Sequence, residues 1–306
     1  MGHSSEFVLS TLEAGGIREA ARQTYPLWRQ GRSFEDYHSR IEEALRRMGP
    51  NMRYVGLLSP TGTLLASCRL LKIALQWDHA VVPALGIAAV FVPPEHRGHG
   101  YAHRLLQITL REATREGMKA AVLYSDIAPA FYKRLGFIEY PAVDWEADTS
   151  ALPMTDPYEV RPALPGDLAR MLEWYHSAAA GMRLHPARSE ALWRFFRWWR
   201  GVTNEVILAD HGHEVGYLTV TTELRGMRVW EWAAPEAAPE RLWATARRMA
   251  QSLGLSYMSG WLRPDRHEKW MTAHPRSAAI PMVLPLDADA TLPPPEAAAF
   301  EELDHF

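Results

Sequence analysis

Between Leu85 and Tyr140 the chain reads LGIAAVFVPPEHRGHGYAHRLLQITLREATREGMKAAVLYSDIAPAFYKRLGFIEY. Leu85 to Val92 is a short, almost wholly apolar run suited to a buried strand. Pro93 and Pro94 end it, because neither can donate a ladder hydrogen bond. RGHGYA then leads into Leu105, Leu106, Ile108 and Thr109 at helical spacing. The order is strand, glycine loop, helix.

In that order the amides of Gly98, His99, Gly100, Tyr101 and Ala102 are the unpaired donors of a helix N-terminus, strengthened by the helix dipole. A phosphate or pyrophosphate is their natural ligand. Glycine at 98 and 100 permits positive φ and close approach of an anion, and Arg97 adds fixed positive charge. Taken alone, the glycines are equally compatible with an ordinary tight turn. Two neighbouring signatures fail. A P-loop needs GKS or GKT, and a dinucleotide fingerprint needs a third glycine where His103 stands.

RGHGYA, the helix after it, the strand AAVLYSD and the hexamer YKRLGF together resemble the acetyl-CoA site of the GCN5-related N-acetyltransferases (GNAT), over about 55 residues. The resemblance implies that the coenzyme A diphosphate sits on the amides of Gly98 to Ala102. It also implies that the pantetheine arm lies along the backbone of Val90, Phe91 and Val92, and that the thioester enters a cleft where the strand Ala120 to Ser125 splays away. Val90 or its neighbour would donate a backbone hydrogen bond to the oxyanion. Ser125 would border the coenzyme, and Tyr132 matches the tyrosine that protonates the leaving thiolate. A phenol with a pKa of about 10 can serve a thiolate whose conjugate acid lies near about 8.5. The competing reading of Tyr132 is a core tyrosine. The chain departs from the family in two ways: many members have Asn where Ser125 stands, and Leu85 to Val92 lacks an acid. The general base is thus open among Asp126, Glu95, His96 and a water chain.

The chain has 306 residues, 47% hydrophobic and 23% charged, which suits about two globular domains. A formal charge of −3, from 33 basic and 36 acidic residues, argues against a nucleic-acid partner. The lone Cys68 excludes a disulfide framework or a multi-thiolate metal site. The start MGHSSEF is no signal peptide, and no run approaches the ~18 apolar residues of a membrane span, so no membrane partner and a cytoplasmic location are expected. His96, His99 and His103 lack a carboxylate partner, so no metal is expected. There is no GxSxG nucleophile elbow, and hydrolase readings drop out. A homo-oligomer is compatible with the composition.

Glu6 to Leu12 reads as a first strand, followed by helices at Ile17 to Gln30 and Phe34 to Met48, with Ser33 as N-cap of the second. Tyr25, Trp28, Phe34 and Tyr37 cluster at their junction. The resemblance places that helix pair along the acceptor cleft and makes these aromatics substrate-site candidates beside the default of helix packing. Arg53 to Leu58 and Leu64 to Trp77 are strand-like, split by SPTG. Asp78, in the loop after them, is a candidate for meeting a cationic amine. Phe137 to Trp145 reads as the last strand of a first domain spanning 1–146. Residues 147–157, ADTSALPMTDP, read as a linker.

From Tyr158 the pattern of strand, helices, strands and helix starts again and reads as a second, diverged transferase-like domain over 158–287. Its counterpart of the phosphate loop, APEAAPERLW, carries prolines that remove amides and acids that repel phosphate. That half is expected to be structural or substrate-shaping, packed by nine of the chain's twelve tryptophans. The fold class expected is α/β (α+β): two tandem GNAT folds, mixed central sheets flanked by helices, the second degenerate. The arrangement resembles the enhanced intracellular survival acetyltransferases, and GIAAVFVPPEHRGHGYA with LYSDIAPAFY looks like fungal lysine acetyltransferases.

The function these features imply is transfer of an acetyl group from acetyl-CoA to a primary amine of a small molecule of the lysine, polyamine or aminoglycoside type. The rivals are an acyl-CoA-binding sensor or scaffold and a protein lysine acetyltransferase. The tail, 288–306, reads by default as a solvated terminus. Survival-type enzymes suggest the alternative that it folds back, with the terminal carboxylate of Phe306 taking the amine proton.

Overall fold

A computed structural model describes residues 7–127, 129–202, 204–224, 226–263, 265–266, 268–287 and 290–306. The first half contains β1 (Val8–Thr11), α1 (Ala14–Trp28), α2 (Phe34–Met48), β2 (Met52–Leu58), β3 (Leu64–Trp77), β4 (Ala80–Phe91), α3 (Tyr101–Arg115), β5 (Ala120–Ser125), α4 (Ala130–Lys133), β6 (Ile138–Glu139) and β7 (Val143–Asp148). The second contains β8 (Glu159–Pro162), α5 (Leu168–Ala179), β9 (Leu184–Pro186), α6 (Glu190–Arg200), β10 (Asn204–Asp210), β11 (His213–Thr222), β12 (Met227–Ala233), α7 (Pro239–Ser252), β13 (Tyr257–Trp261), β14 (Thr272–Pro275) and β15 (Ile280–Pro285). Local signals account for many of these limits. Ser33 caps α2, its Oγ accepting the Asp36 amide at 3.2 Å.

Two mixed sheets flanked by helices result. The first runs β1-β2-β3-β4-β5-β15-β6, with β9 added to the end of β3; the second runs β14-β7-β13-β12-β11-β10-β8. Read from β1 and from β8, the two orders match position for position, including one parallel pair in each, β4 with β5 and β12 with β13. The strand beside that pair is exchanged. β15 lies antiparallel to β5, from Ile280 opposite Ser125 to Pro285 opposite Ala120, and β7 lies antiparallel to β13.

Sheet membership therefore departs from the expected limits of 1–146, 147–157 and 158–287. The stretch 137–145, expected as one closing strand of the first domain, divides into the two-residue β6 and β7 of the other sheet. The physical reason is Trp145, fully buried in the second core with its ring 5.0 Å from that of Trp243. The linker is not featureless either, since it begins inside β7 and continues into a 3₁₀ turn with Thr149 buried.

One core cluster joins the halves: Leu71, Leu75 and Trp77 of β3 share it with Trp193 and Phe196 of α6 and with Phe300, Leu303 and Phe306 of the tail. The solvated terminus is thus overturned. Tyr140 Oη donates to the Pro293 carbonyl at 2.8 Å, Ala299 N–H to that of Leu184 at 2.9 Å, and Leu303 and Asp304 are fully buried. Buried ion pairs hold the chain end. Arg188 meets Asp304 at 2.7 Å and Glu231 at 2.5 Å, Arg228 meets Glu302 at 2.9 Å, and Arg263 meets Glu301 at 3.2 Å. No described helix is long and apolar enough to cross a membrane.

Candidate active site

The cleft begins with a bulge. Arg69 of β3 lies opposite Ala88 but Ser67 lies opposite Phe91, so β4 carries one extra residue, and Ala89 adopts φ +50°. A β-bulge bends its strand, and a non-glycine residue at positive φ marks strain held by its surroundings. Parallel pairing of β4 with β5 ends at Ile87 and Leu123. Beyond it the β5-facing backbone of residues 88–91 has no strand partner, and a cavity of about 460 Å³ opens there. Val90, Tyr124, Asp126 and Tyr132 line it from the first sheet and α4, Trp28 and Tyr37 from α1 and α2, Trp199 and Arg200 from α6, and His305 and Phe306 from the tail.

The phosphate-loop geometry is present. Gly98 and Gly100 have φ +82° and +75°, and open space lies where a side chain would stand at either. Gly100 is the N-cap of α3, and the helix begins with Arg104 N–H donating to the Gly100 carbonyl at 3.0 Å. The amides ahead of that bond have no intrahelical acceptor. The site therefore fits an anion. Arg97 turns its Nε back to the Val92 carbonyl at 3.2 Å, and His99 stacks on Tyr101 at 5.6 Å. The second unit differs as its sequence implied. Ala237 N–H bonds the Ala234 carbonyl at 3.1 Å, Ala238 N–H bonds Tyr158 Oη at 2.9 Å, and Pro239 has no amide hydrogen.

Tyr132 is 7% exposed, its ring edge-on to Phe131 and Phe137, and burial pushes its phenol well above the usual range. Asp126 accepts the Ala279 amide at 3.1 Å. Phe306 lies stacked on Phe196 and edge-on to Tyr124, against Gly86, where a Cβ would come within 2.8 Å of its ring. His305 is driven far below its usual pKa by burial and the nearby arginines, and so is neutral.

Other expected site residues lie elsewhere. Ser125 is fully buried and donates its hydroxyl to the Ile127 carbonyl at 2.7 Å. Tyr25 and Phe34 pack on each other at 5.6 Å in the helix junction, and Phe91 is buried 6.1 Å from Trp28. Asp78 pairs with Arg183 at 2.6 Å, so it joins the two halves instead of facing the cleft. Among the described residues no cluster of three metal-ligating side chains occurs.

Among the cavity residues that escape the sequence reading are Arg69 and Arg200. The guanidinium of Arg69 lies 4.3 Å over the Trp199 ring and that of Arg200 5.8 Å from the Trp230 ring. Burial lowers the pKa of both, that of Arg200 to about 10. The one available signal was a lone arginine inside the apolar strand LLASCRLL.

Residues 18–139, in the first half of the chain, match the family model described as an acetyltransferase (GNAT) domain. No curated protein matches it in sequence. Solved structures share the fold across both halves. A GCN5-related N-acetyltransferase from Anabaena variabilis is 20% identical, with TM-score 0.72, covering 92% of this chain and 73% of that one. Eis1 from Mycobacterium abscessus is 14% identical, with TM-score 0.62, covering 92% and 74%. The N-myristoyltransferase of Saccharomyces cerevisiae, solved with myristoyl-CoA, is 9% identical, with TM-score 0.56, covering 93% and 84%.

Proposed function

We propose that this protein transfers an acetyl group from acetyl-CoA directly to a primary amine of a small molecule. The observation that carries the reading is the convergence of Val90, Tyr132 and Phe306 on one cavity where β4 and β5 part. Acetyl-CoA supplies the activated acyl carbon, and the amides of Gly98 to Ala102 hold its diphosphate. Backbone groups at Val90, free of a strand partner, orient the thioester and stabilise its oxyanion. Tyr132 gives its proton to the departing thiolate. The terminal carboxylate of Phe306 takes the amine proton, directly or through water, with Asp126 as the alternative base. Walls of Trp28, Tyr37, Trp199 and the tail limit the acceptor to a small molecule.

Free thiol released from acetyl-CoA, measured across a panel of free amino acids, diamines, aminoglycosides and lysine-bearing peptides, tests the proposal. Release driven by small amines supports it. Release driven by peptides alone, or tight coenzyme binding with no release, overturns it.

A further inference from the structure

The cavity carries more positive charge than acetyl transfer uses. Arg32, Arg40, Arg69 and Arg200 line it, against one acidic side chain, Asp126. Two of the four are committed. Arg40 donates to the carbonyls of Trp198 and Trp199 at 3.1 and 2.5 Å, where α6 ends, and Arg32 donates to Gln30 at 2.8 Å. Arg69 and Arg200 are not. Arg69 is 5% exposed and its Nε has no partner, and Nε and Nη2 of Arg200 have none.

A buried guanidinium without an acceptor is costly, and native proteins seldom keep one without a ligand or ordered water to satisfy it. Here two stand in one cavity, placed by Trp199 and Trp230. A bare polycation would enter against their charge, whereas a carboxylate would satisfy the orphaned N–H groups with charge-assisted bonds.

We infer that the acceptor carries a carboxylate received by Arg69 and Arg200, so that it is an amino-acid-like amine and not a polyamine or aminoglycoside. This rests on the acetyltransferase reading for what then happens to the amine. The binding claim stands on the cavity alone. One other anion is at hand, the chain's own terminus at Phe306. Were both arginines reserved for it, no carboxylate preference would remain.

The test uses matched pairs differing only in the carboxylate: L-lysine with 1,5-diaminopentane, L-ornithine with 1,4-diaminobutane, and L-phenylalanine with 2-phenylethylamine. Each is titrated calorimetrically into the full chain saturated with coenzyme A. In at least one pair the amino acid is expected to bind about 10- to 100-fold tighter, the scale of a charge-assisted hydrogen bond. Arg69→Gln and Arg200→Gln should each remove that preference, and Arg69→Lys should restore part of it. The wild-type comparison decides alone if a variant does not fold. Equal or tighter binding of the decarboxylated member in every pair, or no binding by any amino acid, overturns the inference. Thiol release from acetyl-CoA is read separately. Preferential binding without release refutes acetyl transfer and keeps the anion site, while release with equal efficiency from both members of each pair does the reverse.

Discussion

Tyr132 is held by aromatic neighbours on one side and opens to the cavity on the other. Because burial raises its pKa, the phenol stays protonated throughout the usual working range and remains a usable acid at alkaline pH. Tyr132→Phe keeps the ring packing and removes only the proton. Turnover is expected to fall about 100-fold while coenzyme A affinity, measured by calorimetry, stays within about twofold. Unchanged turnover at saturating amine would remove the residue from the acid role. A second residue reports on stability. Glu205 is 5% exposed, and burial lifts its pKa from 4.5 to about 7 despite its ion pair with Arg197. The folded chain then holds that proton more tightly than the unfolded one. Its contribution is full below about pH 4.5 and is lost as pH rises to 7, a change on the order of 3 kcal/mol. Melting temperatures of Glu205→Gln should depend less on pH between 5 and 7 than those of the parent, and parallel curves would discard the assignment. Tyr132 was legible because a motif surrounds it. Arg69 was not, because nothing local tells an arginine that meets a ligand from one that lies along a sheet edge.

The contrast between α3 and α7 decides how many coenzymes the chain holds. Gly100 ends its loop at positive φ with open space ahead, whereas the loop before α7 bonds its amides internally. One coenzyme A per chain is expected. Gly100→Val should lower folding stability by about 1–2 kcal/mol, the cost of forcing a side chain into the left-handed region, and weaken coenzyme binding by obstructing the diphosphate. Calorimetric stoichiometry near two would contradict the first expectation, and an unchanged affinity the second. The tail is the other decisive element. Its position depends on Arg188, buried with Asp304 and Glu231, and removing one partner of such a pair typically costs about 3–5 kcal/mol. Deleting Glu301 to Phe306 should depress turnover far more than coenzyme affinity. A deletion variant as active as the parent across pH 6 to 9 would make the tail a bystander and Asp126 or water the candidate base. Sequence offered two readings of this segment. Three prolines followed by acids look solvated, and their arginine partners lie more than a hundred positions away for Asp304.

At the scale of the whole molecule, the exchange of β7 and β15 makes each sheet depend on the other half of the chain. The helices and the phosphate loop were legible because they are written in local periods and turn residues. The exchange was not, because a strand's apolar alternation states that a face is buried and leaves open which sheet buries it. A fragment ending at residue 157, the natural cut if the two domains were separate, would lack β15. β5 would keep its pairing with β4 but present its other side as an open edge of apolar residues, and Trp145 on β7 would lose the second core that buries it. The interface between halves is itself core, with Leu75 and Trp77 packed among Trp193, Phe196 and Phe300. Such a fragment is expected to aggregate or stay unfolded, and the full chain to unfold in one calorimetric transition whose van't Hoff enthalpy equals the measured one. Adding residues 278–306 as a separate peptide should partly restore solubility, since it returns the missing strand and tail. Two resolved transitions in the full chain, or a soluble monomeric 1–157 fragment with a cooperative melt, would show instead that each half folds alone.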